Sequence, residues 1–193
     1  DRDVAFFFED SDGDFWMGGL DGMYHYNRAT DTFKKRMGTS SFQMAESKPG
    51  ILWVATGNGL AQINKQAEKT TLFLPSENDP SSLIHDHLNC VITDMEGNLW
   101  IGTNRGISIL NPVQNLTHHY RHLPELTNSL GSNHVSDIRE DKNGNIWIAT
   151  RGGGLNRFDT ESETFKIFNK NEEDETAISS DQVSALHTDK EGF

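Results

Sequence analysis

Four groups of residues in this chain have the types and spacing that chemistry uses. Asp10-x-Asp12-Gly13-Asp14 offers three carboxylates within one short loop, as calcium sites do. A calcium-binding loop of the EF-hand type needs its glycine at the sixth position and a glutamate at the twelfth, whereas here Gly13 is fourth and Asp21 stands twelfth. The segment reads instead as a hairpin turn. His118-His119-x-x-His122 could supply imidazole ligands, but adjacent strand residues point to opposite faces, and no Cys/His set has zinc spacing. Cys90 is the single cysteine, set in the apolar run Leu88-Asn89-Cys90-Val91-Ile92, and reads as a small core residue. Nucleophile elbows, glycine-rich phosphate loops and HExxH are all absent, so no catalytic residue, metal or cofactor is assigned. The fourth group, Asn58, His85, Asn104, Arg105, His134 and Arg151, acquires meaning only once the elements that carry it are placed.

Those elements follow from a repeat, revealed by the tryptophans. Trp16, Trp53, Trp100 and Trp147 are 37, 47 and 47 residues apart, and the text around them recurs. Asp94-Met95-Glu96-Gly97-Asn98-Leu99-Trp100-Ile101-Gly102-Thr103 matches Asp141-Lys142-Asn143-Gly144-Asn145-Ile146-Trp147-Ile148-Ala149-Thr150. Gly13 and Gly50 occupy the same turn position in the first two copies, and Ser47 replaces the turn aspartate in the second. Within one copy, Val135–Arg139 alternates in period two, Asp141–Asn145 has turn chemistry, and Ile146-Trp147-Ile148 is β-branched and aromatic. A glycine turn, a short strand at 155–158, a polar turn and a strand at 164–168 complete it. Four antiparallel strands every 40–50 residues is the spacing of a propeller blade.

The fold expected is all-β: a β-propeller fragment with blades at about 1–37, 38–75, 86–122 and 133–170. One strand of a fifth blade is expected near 183–188, with its turn running to Phe193, and by register the next tryptophan falls two residues further on. A tryptophan from each copy should fill the space between blades, making Trp16, Trp53, Trp100 and Trp147 structural, with Asp94, Asp141 and the turn glycines Gly13, Gly50, Gly97 and Gly144. A fragment of a larger ring leaves two apolar blade faces uncovered, so the piece should be marginal alone or associate.

The pattern Asp-x-x-Gly-x-(Leu/Ile)-Trp-(Ile/Val)-(Gly/Ala)-Thr-x-x-Gly-(Leu/Ile) resembles the two-component regulator propeller repeat, and Asp94 to Ile107 fits it best. The resemblance implies a seven-bladed ring in the periplasmic sensor region of a hybrid two-component histidine kinase. It implies oligosaccharide or glycan breakdown products as ligands, and the rest of the propeller and the kinase as partners in the same chain. A homodimer is a further partner it allows.

In a propeller, the turn between second and third strands shares a rim with the connection between blades. Asn58, Asn104, Arg105 and Arg151 fall in the first set of loops, and His85 and His134 in the second. Such side chains can hydrogen-bond sugar hydroxyls or a uronate carboxylate. Charge excludes other partners: 17 basic against 29 acidic residues gives −12, which disfavours nucleic acid and anionic lipid. No apolar run is long enough to span a bilayer. The expected function is extracytoplasmic, non-catalytic ligand sensing. The alternatives are a protein-interaction or dimerisation scaffold and a propeller lyase or glycoside hydrolase.

Overall fold

Alternation of apolar residues, broken by Asp/Asn-Gly turns at regular intervals, produces sixteen strands in the computed structural model, which describes residues 3–114 and 116–189. The first blade comprises β1 (Val4–Glu9), β2 (Phe15–Gly19), β3 (Gly22–Asn27) and β4 (Thr32–Met37). The second comprises β5 (Ser41–Lys48), β6 (Ile51–Thr56), β7 (Gly59–Asn64) and β8 (Lys69–Phe73). The third holds β9 (Leu88–Thr93), β10 (Leu99–Thr103), β11 (Gly106–Asn111) and β12 (Leu116–Tyr120). The fourth holds β13 (Val135–Glu140), β14 (Ile146–Thr150), β15 (Leu155–Asp159) and β16 (Thr164–Phe168). Each blade is one antiparallel meander, with neighbours in chain order.

The conserved spacing of turn residue and tryptophan within the repeat has a bonding cause. The turn folds back so that Asp10, Asp94 and Asp141 accept the indole N–H of Trp16, Trp100 and Trp147 at 3.0, 2.8 and 2.9 Å. Ser47 does the same for Trp53 through its hydroxyl, at 3.0 Å. The aspartates also accept backbone N–H groups of their own turns. Glycine is required at the fourth turn position, where φ lies between 78° and 85° in all four copies.

Three of the four tryptophans face the following blade. Trp16 packs with Met44, Leu52 and Val54 of the second blade, Trp53 with Val91, Leu99 and Ile101 of the third, and Trp100 with Ile138, Ile146 and Phe158 of the fourth. Their exposures of 4, 1 and 3% are those of core residues. Trp147 is only half-buried. Cys90 is buried in the junction between the third and fourth blades, and burial pushes its thiol pKa up, against reactivity.

The innermost strands, β1, β5, β9 and β13, line a central channel of about 600 Å³ together with residues 184–186. Side chains there bond across to the next blade. Gln43 Oε1 accepts the Val91 N–H at 2.8 Å, and Asn89 donates to the Val135 carbonyl at 2.6 Å. Residues 183–189, where the first strand of a fifth blade is expected, enter no ladder. They follow β13: Ser136 Oγ donates to the Val183 carbonyl at 2.5 Å, and the Leu186 N–H donates to Asp137 at 2.9 Å. A first strand pairs with the second strand of its own blade, and none lies among the described residues. The turn expected to end at Phe193 falls outside the described residues from 190 onward.

Candidate functional site

The loops that carry the six candidate residues meet on one rim because backbone groups join them. Gly59 N–H donates to the Asp86 carbonyl at 2.6 Å, Gly106 N–H to Asn133 at 2.8 Å and Gly152 N–H to Asp181 at 2.9 Å. Each bond ties a turn between second and third strands to the connection leading into the next blade. Within the turns, the hydroxyls of Thr56, Thr103 and Thr150 donate to the carbonyls of Gly59, Gly106 and Gly154. Gly154, the extra residue of the fourth copy, thus takes the place that Gly106 holds in the third.

The repeated small residues of the connections are structural. Ser82 and Ser129 hydroxyls bridge carbonyls of their own loops, and Leu83 and Leu130 plug the junctions beneath them. The Gly152-Gly153-Gly154 turn is held by the buried Asn156, which donates to the Gly153 and Gly154 carbonyls and accepts the Gly131 N–H at 2.7 Å.

The six candidates separate into two clusters and two single residues. His85 and Arg105 line one groove of about 720 Å³ between the second and third blades, joined there by His119 and Arg121. Glu77, Asp79 and Asp86 line the same groove, so cationic donors and anionic acceptors face one space. His85 Nδ1 accepts the His87 N–H at 3.0 Å, which fixes its ring. Burial lowers the His119 pKa, and its Nδ1 lies 3.1 Å from Ser108 Oγ, favouring a neutral ring that can accept or donate.

His134 and Arg151 form the second cluster, with His87. Burial and the neighbouring charges of Arg151 and His87 lower the pKa of His134. The His87 ring packs 5.4 Å from Phe42, on the first strand of the preceding blade. Asn104 belongs to the scaffold, because its Oδ1 accepts the Asn89 amide that also reaches Val135. Asn58 is exposed.

Sequence alone offers His119 only as a possible metal ligand and assigns no site role to His87 or Arg121. His87 stands 47 residues before His134, at the same repeat position, so the register could have found it. His119 and Arg121 reach the groove from the end of a fourth strand, and no repeat position marks them.

The three-carboxylate loop is also resolved. Lys65, on the turn after β7, places its ammonium 2.7 Å from each of Asp10, Asp12 and Asp14. The Lys65 hydrogen bond, opposed by burial and aided by His25, holds the Asp14 carboxyl below the usual range. The cation of this loop is therefore a lysine from the neighbouring blade. His118, His119 and His122 serve different places: His118 faces the junction with the fourth blade, His119 the rim groove, and His122 Nδ1 lies 2.7 Å from the Leu130 carbonyl.

Residues 82–105 and 129–152 match the family described as two component regulator propeller. These are two-component regulator propeller repeats. Each matched segment runs from a connection through the first two strands to the rim turn, so the matches include His85, Asn104, Arg105, His134 and Arg151 but not Asn58. No curated protein matches the chain. Among solved structures, the extracellular domain of a putative hybrid two-component system from B. thetaiotaomicron is 14% identical, with 98% of this chain and 36% of that chain covered at a TM-score of 0.53. PorZ, a bacterial surface component of the type-IX secretion system of Porphyromonas gingivalis, is 17% identical over 93% of this chain and 28% of that one, at 0.65. Virginiamycin B lyase from Staphylococcus aureus is 15% identical over 86% of this chain and 55% of that one, at 0.62. At these identities the likeness is one of fold, and propellers host binders and enzymes alike. The chain spans between about a quarter and just over half of these structures. No helix among the described residues is long and apolar enough to cross a membrane.

Proposed function

We propose that this chain is part of the extracytoplasmic, non-catalytic sensing region of a hybrid two-component signalling protein, and that its rim takes an oligosaccharide or glycan fragment. The observation that carries this reading is the groove between the second and third blades, part of whose lining lies in the matched segment 82–105. There His85, Arg105, His119 and Arg121 line one space with Glu77, Asp79 and Asp86, and His85 Nδ1 lies 3.4 Å from Asp86. A sugar presents hydroxyls that both donate and accept, so it needs the two kinds of partner side by side. Arg105 and Arg121 add the fork geometry that suits a uronate carboxylate. Signalling would follow if a bound glycan bridges the turn of one blade and the connection of its neighbour, altering how the blades pack.

The test is calorimetric titration of the chain with plant and host oligosaccharides, followed by mass analysis of the recovered sugar. Saturable binding of intact sugar, weakened about ten-fold or more by Arg105→Ala or Arg121→Ala, is the expected outcome, since one charge-assisted hydrogen bond to a ligand is worth ~1.5–3 kcal/mol. Cleaved sugar would establish an enzyme in place of a sensor. Absence of binding across the panel would favour the interaction scaffold, for which the exposed aromatic side of the first blade supplies a surface.

A further inference from the structure

The inner edge of the rim opens on the central channel, and one side chain from each blade is turned into it. In every blade the ladder between first and second strands skips a residue near the rim: Ala5, Phe42, Asn89 and Ser136 in turn. Such a bulge leaves its residue unpaired and re-aims the side chain, and all four line the channel. Asn89 and Ser136 direct their polar atoms to the next blade, donating to the Val135 and Val183 carbonyls. Ala5 is small. Phe42 is the one large apolar side chain of the four, and it remains half-buried.

Two residues nearer the rim than Asn89 and Ser136 stand His87 and His134, both half-buried. The His87 ring lies 5.4 Å from that of Phe42. Arg151 adjoins His134, because its backbone N–H donates to the His134 carbonyl at 2.9 Å. The pKa of His134 is lowered by burial and by the charges of Arg151 and His87, so the charged groups acting on it are cations. Carboxylates close in sequence are engaged elsewhere: Asp86 lies 3.4 Å from His85, and Asp181 accepts the Lys170 N–H at 2.7 Å. That is not the rule in a chain of 17 basic and 29 acidic residues. Arg28, Lys35, Lys65, Arg139 and Lys170 each have a carboxylate within 3.4 Å. Among the described residues, His87, His134 and Arg151 are in no ion pair, and like charges gathered at one mouth repel.

We propose that the channel mouth binds a small organic carboxylate with an aromatic body, its carboxylate held by Arg151 and His134 beside His87 and its ring in the channel against Phe42. The guanidinium fork and an imidazolium both give charge-assisted hydrogen bonds to a carboxylate, and one anion relieves the repulsion among all three groups. Phe42 offers a face for offset or edge-on stacking, and the channel of about 600 Å³ is of ligand-pocket size. This site is separate from the groove of His85 and Arg105 and does not depend on the oligosaccharide reading.

The probe is phenylacetate, titrated into the 193-residue chain by calorimetry at pH 6 and pH 8, with phenylacetamide and acetate as further titrants. A carboxylic acid with a pKa of about 4 is ionised at both pH values, so tighter binding at pH 6 reports the imidazoles. Saturable phenylacetate binding is expected, at least ten-fold tighter than that of the uncharged amide or of acetate. Arg151→Gln should weaken it about ten-fold, a change of ~1.4 kcal/mol, and leave the melting temperature unchanged because the side chain is exposed. His134→Gln should shrink the difference between pH 6 and pH 8, and the repeat tolerates that residue, since Gln182 holds the same position in the next copy. Equal binding of phenylacetamide would mean that the cations take no part, and equal binding of acetate would mean the same of Phe42. Either result would overturn the proposal, as would no saturable phenylacetate binding or binding unchanged by Arg151→Gln.

Discussion

Asp94 and Asp141 each give one carboxylate oxygen to a tryptophan six positions later, and this bond makes the repeat a rigid unit. The indole is thereby fixed at the blade edge with its rings turned to the next blade, and its burial supplies the packing. Trp100, between two blades, should cost ~3–5 kcal/mol on truncation to alanine, in the range of other large aromatic deletions. Trp147 has the same aspartate bond but is less buried, with Phe168 stacked at 5.7 Å and Arg157 above its ring. Trp147→Ala should therefore cost less than half as much as Trp100→Ala. Denaturant melts of the two variants check this, and equal losses would show that the aspartate bond, not the neighbouring blade, is the source of stability. The tryptophan spacing was legible in the sequence. Its hydrogen-bond acceptor was not, because Asp94 and Asp141 satisfy the demands of a turn and nothing in the order of residues reveals a second task.

Between elements, the junctions are fastened by polar groups as well as rings. Lys65 joins the turn after β7 to the turn after β1 through Asp10, Asp12 and Asp14, with the Asp10 side chain fully buried. Lys65→Met should destabilise the chain at neutral pH by ~1–3 kcal/mol, between the exposed and buried ion-pair limits, because the buried Asp10 side chain loses its cationic partner. The sign with pH follows from Asp14, whose folded pKa lies below its unfolded value. Its contribution is complete above the ordinary aspartate range and disappears as pH falls through the folded pKa. Wild-type stability should fall in acid, and its advantage over Lys65→Met should shrink with it; urea melts from pH 7 down to pH 3 would reveal a constant difference if the staple were not the cause. Strands and turns could be read from alternation and glycine placement. The links between blades could not: Gln43, Asn89 and Ser136 look like solvent-facing strand residues, and only the curvature of the fold turns them onto the neighbouring backbone. The rim was legible for the same reason as the turns, since Arg105 and Arg151 sit in them, whereas Arg121 joins the groove from a strand end.

Across the whole molecule, every blade has a tryptophan side and a receiving side, and the three junctions consume all but one of each. On the first blade the receiving positions are Phe7, Phe15, Tyr26 and Phe33, which correspond in the fourth blade to Ile138, Ile146, Phe158 and Phe165, the residues that cover Trp100. They form an aromatic row across all four strands, with successive centroids 5.7, 6.3 and 5.0 Å apart, and Phe7 is 62% exposed. On the fourth blade the tryptophan side carries the half-buried Trp147. Because the two surfaces differ, their pairing between copies is head to tail rather than two-fold symmetric. The chain should therefore self-associate with increasing concentration, and more strongly as salt screens the repulsion between copies of net charge −12. Sedimentation equilibrium over a range of concentration and ionic strength measures both trends. Phe7→Asp with Phe33→Asp should hold the chain monomeric, and since both side chains are exposed their replacement leaves the three internal junctions intact. Association that grows weaker with salt, or that survives the double variant, would mean that copies meet through charged surfaces and that the aromatic row serves another partner.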